Sequence, residues 1–80
     1  MKTLYFYTTS GCHLCDLAED VLWPLLENRE YRLQVVDIAS NPELQLRYGT
    51  RIPVIRREDT GAELGWPFSP GQAKRYLAGE

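Results

Sequence analysis

The chain contains two cysteines, Cys12 and Cys15, which lie where an apolar, strand-like segment gives way to an amphipathic, helix-like one. Residues three positions apart at the start of a helix share its first turn, which brings their side chains within reach of a disulfide. A pair with this spacing serves either redox chemistry or metal binding. Because a structural disulfide is disfavoured in a reducing compartment, we interpret the pair as catalytic or metal-binding.

The positions of the two thiols predict unequal roles. A helix N-terminus carries unpaired N–H groups and a partial positive charge, which lower the pKa of a thiol from about 8.5 to between about 3.5 and 7.5. Cys12 is closer to that end and follows Gly11, which has no side chain to obstruct an approaching partner. Cys15 lies one turn deeper, on a more apolar side. The sequence therefore predicts that Cys12 is the nucleophile and Cys15 the resolving thiol.

Metal binding is the competing interpretation of the cysteine pair. A tetrahedral zinc site needs four ligands, and the chain offers two thiols and one histidine, His13, so such a site fails on ligand count unless carboxylates complete it. We expect no metal and no bound cofactor. An iron–sulfur cluster shared between two chains stays open. The alternative function is thus a binding module, or a metal or iron–sulfur carrier, that uses the same cysteines without turnover.

Histidine 13 itself has two interpretations that the sequence leaves open. It is either an exposed residue of the first helical turn or, as an imidazolium, a charge that favours the Cys12 thiolate and makes the disulfide more oxidising.

Length and charge bound the class of protein. Eighty residues suit a single domain, residues 1–80, with one modest core. The net charge of −2 and the scattered basic residues argue against nucleic acid and anionic membranes as partners. The apolar run near the N-terminus is too short for a signal or membrane segment. We expect a cytoplasmic monomer.

The first two elements position the cysteines. Residues 4–8 are aromatic and β-prone, which predicts a central strand covered on both faces. Helical periodicity then predicts a helix from about the cysteines to about Glu27, with Pro24 kinking its last turn or ending it early. The apolar positions of this helix are Leu14, Leu17, Ala18, Val21, Leu22 and Leu25.

A second strand and a short helix follow. Residues 31–38 are rich in β-branched residues and predict a strand parallel to the first, because a helix crosses between them. Asp37 is interpreted as a solvated strand end. Asn41 is a predicted N-cap for a short helix from Pro42 to about Tyr48, which ends at Gly49.

The remaining residues predict a hairpin and a final helix. Residues 54–56 and 62–64 flank the polar, glycine-containing segment 57–61, which predicts two antiparallel strands. Ser69-Pro70-Gly71-Gln72 combines an N-cap, a proline at the first helical position and a capping-box glutamine. Trp66 and Phe68, just before it, are expected to pack.

The order β-α-β-α-β-β-α, the Cys-x-x-Cys pair opening the first helix and the segment Ile52-Pro53-Val54 resemble the glutaredoxin-like members of the thioredoxin superfamily. The small members with a Gly-Cys-His-Leu-Cys site and a Trp-Pro-Phe after the last strand are the most similar. The resemblance implies an α/β, thioredoxin-like fold with a four-stranded mixed sheet and three helices. It also implies a thiol–disulfide oxidoreductase.

In that superfamily the residue matching Pro53 is a cis-proline beside the disulfide, and the backbone before it pairs with a bound peptide or thiol. The resemblance therefore assigns Ile52-Pro53 as the docking edge. The predicted substrate-binding residues are Gly11, His13, Leu14, Arg51, Ile52 and Pro53.

Departures from the family pattern concern glutathione. Glutaredoxins often carry a lysine just before the cysteine motif, and this chain has no lysine there. They also often carry a Gly-Gly-x-Asp-type turn before the last helix, where this chain has Gly65-Trp66-Pro67-Phe68-Ser69. The sequence therefore predicts that glutathione is a poor reductant. The expected partner is a protein disulfide or a thioredoxin-type reductant, which can pair its backbone with the edge at Ile52.

Overall fold

Residues 2–26 and 31–79 are described by a computed structural model, in which four strands form one mixed sheet. The sheet order is β2-β1-β3-β4, with β1 parallel to β2 and antiparallel to β3. This confirms the predicted four-stranded mixed sheet with three helices. The elements are β1 (Lys2–Thr8), α1 (His13–Leu26), β2 (Tyr31–Asp37), a 3-10 turn (Ile38–Ser40), α2 (Pro42–Tyr48), β3 (Val54–Arg57), β4 (Glu63–Gly65) and α3 (Pro70–Leu77).

Strand β1 lies between β2 and β3 and is covered on both faces. Leu4 and Phe6 are fully buried in the larger core cluster, which includes buried residues of α1 and α3. Tyr7 points to the opposite face, where it joins a smaller cluster with Tyr48 of α2. Because side chains alternate along a strand, packing on both faces fixes β1 firmly. The loop that carries the cysteines therefore starts from the best-supported strand of the sheet.

Helix α1 buries only part of the apolar face that its periodicity predicts. Its buried residues include Cys15 and Leu22, whereas Leu14 and Leu17 are 46% and 40% exposed. Both leucines thus belong to the predicted apolar positions of the helix but not to its buried stripe. The reason is that Cys15 starts the buried stripe, which continues at steps of three and four residues, and the leucines flank it. The buried stripe consists of Cys15, Ala18, Leu22 and Leu26.

Proline 24 does not end α1 early. The helix continues to Leu26, whose side chain is buried in the core. A proline inside a helix removes one backbone donor, a cost that the packing of the following turn offsets here. Glu27, the predicted end, lies outside the described residues.

Strand β3 of the β3–β4 hairpin is one residue longer than predicted, because it includes Arg57. Arg57 belongs to β3 and is 5% exposed, although the sequence places it in a polar turn. Its guanidinium donates to Asp59 at 2.6 Å and 3.0 Å and to the carbonyl of Tyr76 at 3.2 Å. A buried cation is tolerated where its donors are satisfied, and these acceptors satisfy it. Strand β4 begins at Glu63, one residue later than expected.

Capping side chains define the helix starts. The Asn41 side chain accepts from two backbone amides of α2, and Ser69 forms the predicted capping box with Gln72. Asp37 is not a merely solvated strand end, since its carboxylate accepts from the amide of Ala39 at 2.9 Å and caps the 3-10 turn. Phe68 is buried and makes an edge-to-face contact with Trp66, which agrees with their expected packing role.

Candidate active site

A tight turn joins β1 to α1 and sets the position of Cys12. Gly11 has a φ of 76°, a left-handed conformation that side chains with a Cβ adopt only at a cost. The amide of Cys12 donates to the carbonyl of Thr9 at 3.3 Å, which closes the turn. Cys12 therefore immediately precedes the first residue of α1, His13.

Cys12 and Cys15 form a disulfide, with their Cα atoms 5.3 Å apart. The backbone N–H of Cys15 donates to the Sγ of Cys12 at 3.2 Å, the contact that a capping side chain makes with the third residue of a helix. Cys15 is 3% exposed, whereas Cys12 is partly exposed. On reduction, the sulfur at the helix start is therefore the one that meets solvent and helix donors, which stabilise a thiolate.

An open cavity of about 430 Å³ lies beside the disulfide. Two of the predicted substrate-binding residues, Gly11 and His13, line it together with both cysteines. Its full lining is Thr8, Thr9, Ser10, Gly11, Cys12, His13, Cys15, Asp16 and Glu19. The cavity is therefore formed by the β1–α1 turn and one side of the first turns of α1.

Asp16 and Glu19 also line the cavity, and sequence reasoning did not identify either as a substrate-binding residue. They lie four and seven positions after Cys12, which is the spacing of residues on one helix face. That spacing is a signal in the sequence that would have identified both. Thr8, Thr9 and Ser10 directly precede Gly11 and Cys12 in the chain and line the cavity where β1 ends and the chain turns.

The other predicted substrate-binding residues do not line this cavity. Leu14 is exposed on α1, and Arg51, Ile52 and Pro53 lie on the segment between α2 and β3. The Ile52–Pro53 peptide bond is cis, Pro53 is buried, and Ile52 is partly exposed. The carbonyl of Pro53 accepts from the amide of Trp66 at 3.0 Å, which ties this segment to the end of β4.

Glu63 of β4 contacts two residues that precede Ile52 in the chain, Tyr48 and Arg51. The buried Tyr48 donates its hydroxyl hydrogen to the Glu63 carboxylate, and Arg51 Nη2 lies 3.6 Å from Glu63 Oε1. Burial and then the carboxylate raise the pKa of Tyr48 to about 12. The carbonyl of Tyr48 accepts from the amides of Arg51 and Ile52. No local pattern links Glu63 to these residues, so sequence reasoning missed it.

Two further properties of residues 2–26 and 31–79 bear on the choice of chemistry. No group of three or more histidine, cysteine, aspartate or glutamate side chains among them is arranged to hold a metal ion. None of the helices in the same ranges has the length and hydropathy needed to cross a membrane.

Comparison with solved structures finds close relatives in overall shape. The X-ray structure of the protein XcR50 from X. campestris is 32% identical, with a TM-score of 0.80, and the match covers 96% of this chain and 97% of that one. Ne2328 from Nitrosomonas europaea is 28% identical over 95% of this chain and 91% of its own, with a TM-score of 0.81. Thioredoxin 1 from Thermosipho africanus is 17% identical over 95% and 94%, with a TM-score of 0.66, which shows the shared fold.

The comparison with curated proteins finds no match. The family model of the glutaredoxin-like domain (DUF836) matches residues 3–78, which span both cysteines and all seven strands and helices except the first residue of β1. With its thioredoxin fold and its Cys12–Cys15 disulfide at the start of α1, the chain belongs to the glutaredoxin-like domain family.

Proposed function

We propose that the protein is a thiol–disulfide oxidoreductase in which Cys12 is the nucleophile and Cys15 the resolving thiol. The observation that carries the proposal is the hydrogen bond from the Cys15 amide to the Cys12 sulfur at the start of α1, combined with the burial of Cys15. A sulfur at a helix start is activated as a thiolate, and a buried sulfur next to it is reached only from within the molecule.

The exchange proceeds in two balanced steps. The Cys12 thiolate attacks one sulfur of a substrate disulfide, so that a Cys12–substrate disulfide forms and the first substrate thiolate leaves. The Cys15 thiolate then attacks Cys12 Sγ, which restores the intramolecular disulfide and releases the second substrate thiolate. The substrate gains two electrons and the protein loses two. A dithiol reductant returns the protein to its reduced form by the reverse sequence.

The partner classes belong to the same proposal. A protein disulfide is the substrate and a thioredoxin-type dithiol is the reductant, in a cytoplasmic monomer that needs no cofactor. Support comes from the partly exposed Ile52 beside Pro53, the edge that the family uses for docking, and from the exposed Leu14 next to the cysteines. An apolar surface beside the cysteines suits an extended protein segment better than a small charged tripeptide.

Alkylation and trapping test the assignment of the two thiols. In reduced protein, Cys12 should react first with iodoacetamide, and at a pH well below the value of about 8.5 that is typical of a free thiol. Cys12→Ser should abolish reduction of a small disulfide, whereas Cys15→Ser should accumulate a mixed disulfide through Cys12. Equal labelling of the two cysteines near pH 8.5, or no trapped adduct, would contradict the proposal.

The binding-module alternative predicts a different pair of results. A module that holds a ligand without turnover would leave the small disulfide unreduced and would retain metal after gentle purification. Measuring disulfide reduction and metal content on the same preparation distinguishes the two functions.

A further inference from the structure

We infer that Asp16 and Glu19 set the substrate class of the redox site by favouring cationic disulfides over anionic ones, glutathione disulfide included. This inference rests on the proposed function, because it concerns the reaction of Cys12 with a substrate. Both residues are specificity determinants in this scheme, since they act on the substrate's charged groups and not on the sulfur atoms that exchange.

The first supporting observation is their location. The cavity beside the Cys12–Cys15 disulfide is lined by these two carboxylates and by no lysine or arginine. The rest of the lining comes from residues 8–11, His13 and the two cysteines. A substrate that reaches Cys12 through this cavity therefore meets negative charge.

The second observation is that neither carboxylate forms an ion pair within residues 2–26 and 31–79. In the part of the chain that the structure describes, every ion pair involves Asp59 or Glu63, and neither Asp16 nor Glu19 has a lysine, arginine or histidine nitrogen within 4.0 Å. A paired carboxylate exerts little net field on its surroundings, whereas the field of an unpaired one is reduced only by solvent and salt. The two side chains thus bring a formal charge of about −2 to the cavity at neutral pH.

The chemistry of the first exchange step shows where this charge acts. When the Cys12 thiolate attacks, one half of the substrate becomes bonded to Cys12 and the other half leaves as a thiolate, so that a substituent one or two carbons from the reacting sulfur is held at the cavity. A cationic substituent there is attracted by both carboxylates, and an anionic one is repelled by both. This attraction or repulsion depends on the charge of the substrate near the reacting sulfur and not on the fold of the substrate.

The size of the effect follows from Coulomb's law. Unit charges about 6 to 10 Å apart in water change a rate by roughly two- to threefold at low ionic strength, and less as salt screens them. Two carboxylates that attract one probe and repel the other give a cation-to-anion rate ratio of roughly 16- to 80-fold. Neutralising one carboxylate should lower that ratio roughly four- to ninefold.

Three symmetric disulfides of similar size make the test: cystamine as the dication, bis(2-hydroxyethyl) disulfide as the neutral probe and dithiodiglycolate as the dianion. Their rates with the reduced protein are measured by acid quench and mass spectrometry in low-salt buffer. Each rate is divided by the rate of the same probe with 2-mercaptoethanol, which removes differences in intrinsic reactivity. The cation-to-anion ratio also cancels any change in the pKa of the Cys12 thiol, because all probes use the same thiolate.

The variants are Asp16→Asn, Glu19→Gln and the double variant, with Glu58→Gln as a control for net charge. Glu58 lies at the far end of β1, where its amide donates to the carbonyl of Thr3. We expect each single variant to lower the ratio, the double variant to bring it close to one, the control to leave it unchanged, and 0.5 M salt to reduce the wild-type ratio.

Failure of this inference can be distinguished from failure of the proposed function. Normalised rates that do not depend on probe charge, or a ratio that survives in the double variant, would overturn the inference and leave the proposed function intact. A wild-type protein that reduces none of the three probes would overturn the proposed function and this inference with it.

Discussion

Two leucines of α1 that look equivalent in the sequence should differ greatly in their contribution to stability. Leu22 is fully buried in the main core cluster, whereas Leu17 is 40% exposed on the flank of the same helix. Replacing each with alanine keeps helix propensity high, so the comparison isolates packing. We expect Leu22→Ala to be strongly destabilising and Leu17→Ala to be mild.

The magnitudes follow from burial. A Leu→Ala change at a fully buried site costs about 2 to 5 kcal/mol, because it removes apolar burial and leaves a cavity. A domain of this length has a free energy of unfolding of roughly 4 to 12 kcal/mol, so the loss is a large fraction of the total. At Leu17, where solvent already reaches the side chain, the cost should stay below about 1 kcal/mol. In thermal terms, Leu22→Ala should lower Tm by at least about 8 °C.

Urea unfolding at neutral pH, with the Cys12–Cys15 disulfide intact in every sample, measures both costs against the same unfolded state. The Leu17→Ala variant is the matched control, since it makes the same chemical change on the same helix. Equal costs for the two variants, or a cost below about 1 kcal/mol for Leu22→Ala, would refute the assignment of the buried face.

Three other predictions concern caps and charges. Ser69→Ala should lower the free energy of unfolding by about 0.5 to 2 kcal/mol in a thermal melt, because the Ser69 hydroxyl caps α3; an unchanged Tm would contradict this. Arg57 lowers the pKa of Asp59, so the stability that this pair contributes is present above the ordinary value of 3.8 and is lost as the pH falls through the lowered pKa. Asp59→Asn should therefore be less stable than wild type at pH 7, with the difference shrinking toward pH 2 in urea titrations; a constant difference would argue against the pair. Folding raises the pKa of Tyr48 from 10 to about 12, so the stability that its protonated hydroxyl contributes is complete below pH 10 and is lost between pH 10 and about pH 12. Tyr48→Phe should therefore lose less stability than wild type over this range in urea titrations, and the same loss in both proteins would count against the reasoning.

Most of the fold could be predicted from relations between residues that are close in the sequence. The caps at Asn41 and Ser69 are confirmed because a capping side chain acts on amides two or three residues away, and that relation is visible in the sequence. The parallel pairing of β1 with β2 is confirmed for a similar reason, since the intervening helix leaves little choice of direction.

The errors arose where distant residues decide the outcome. Periodicity identified the apolar positions of α1 but not which of them face the sheet, so it did not separate the exposed Leu14 and Leu17 from the buried Leu22. Arg57 is buried because the α3 carbonyl of Tyr76 and the hairpin carboxylate of Asp59 supply its acceptors together. In the candidate site, the cysteines were evident from their spacing, whereas the support that Glu63 gives to the segment before Ile52 depends entirely on tertiary structure.

The central place of β1 in the sheet has a consequence for how the chain reaches its native state. The partner of Leu4 on β3 is Arg57, 53 positions later in the chain, so this pairing closes a long loop and makes the contact order of the sheet high. During synthesis at about 5 to 20 residues per second, β1 waits roughly 3 to 10 s for that partner to be made. Throughout that interval one edge of β1 lacks its hydrogen-bonding partner β3, and the side chain of Phe6 is not yet fully buried. The nascent chain is therefore most prone to aggregation before β3 appears, and variants that slow the closure of the sheet should lower soluble yield more than they lower equilibrium stability.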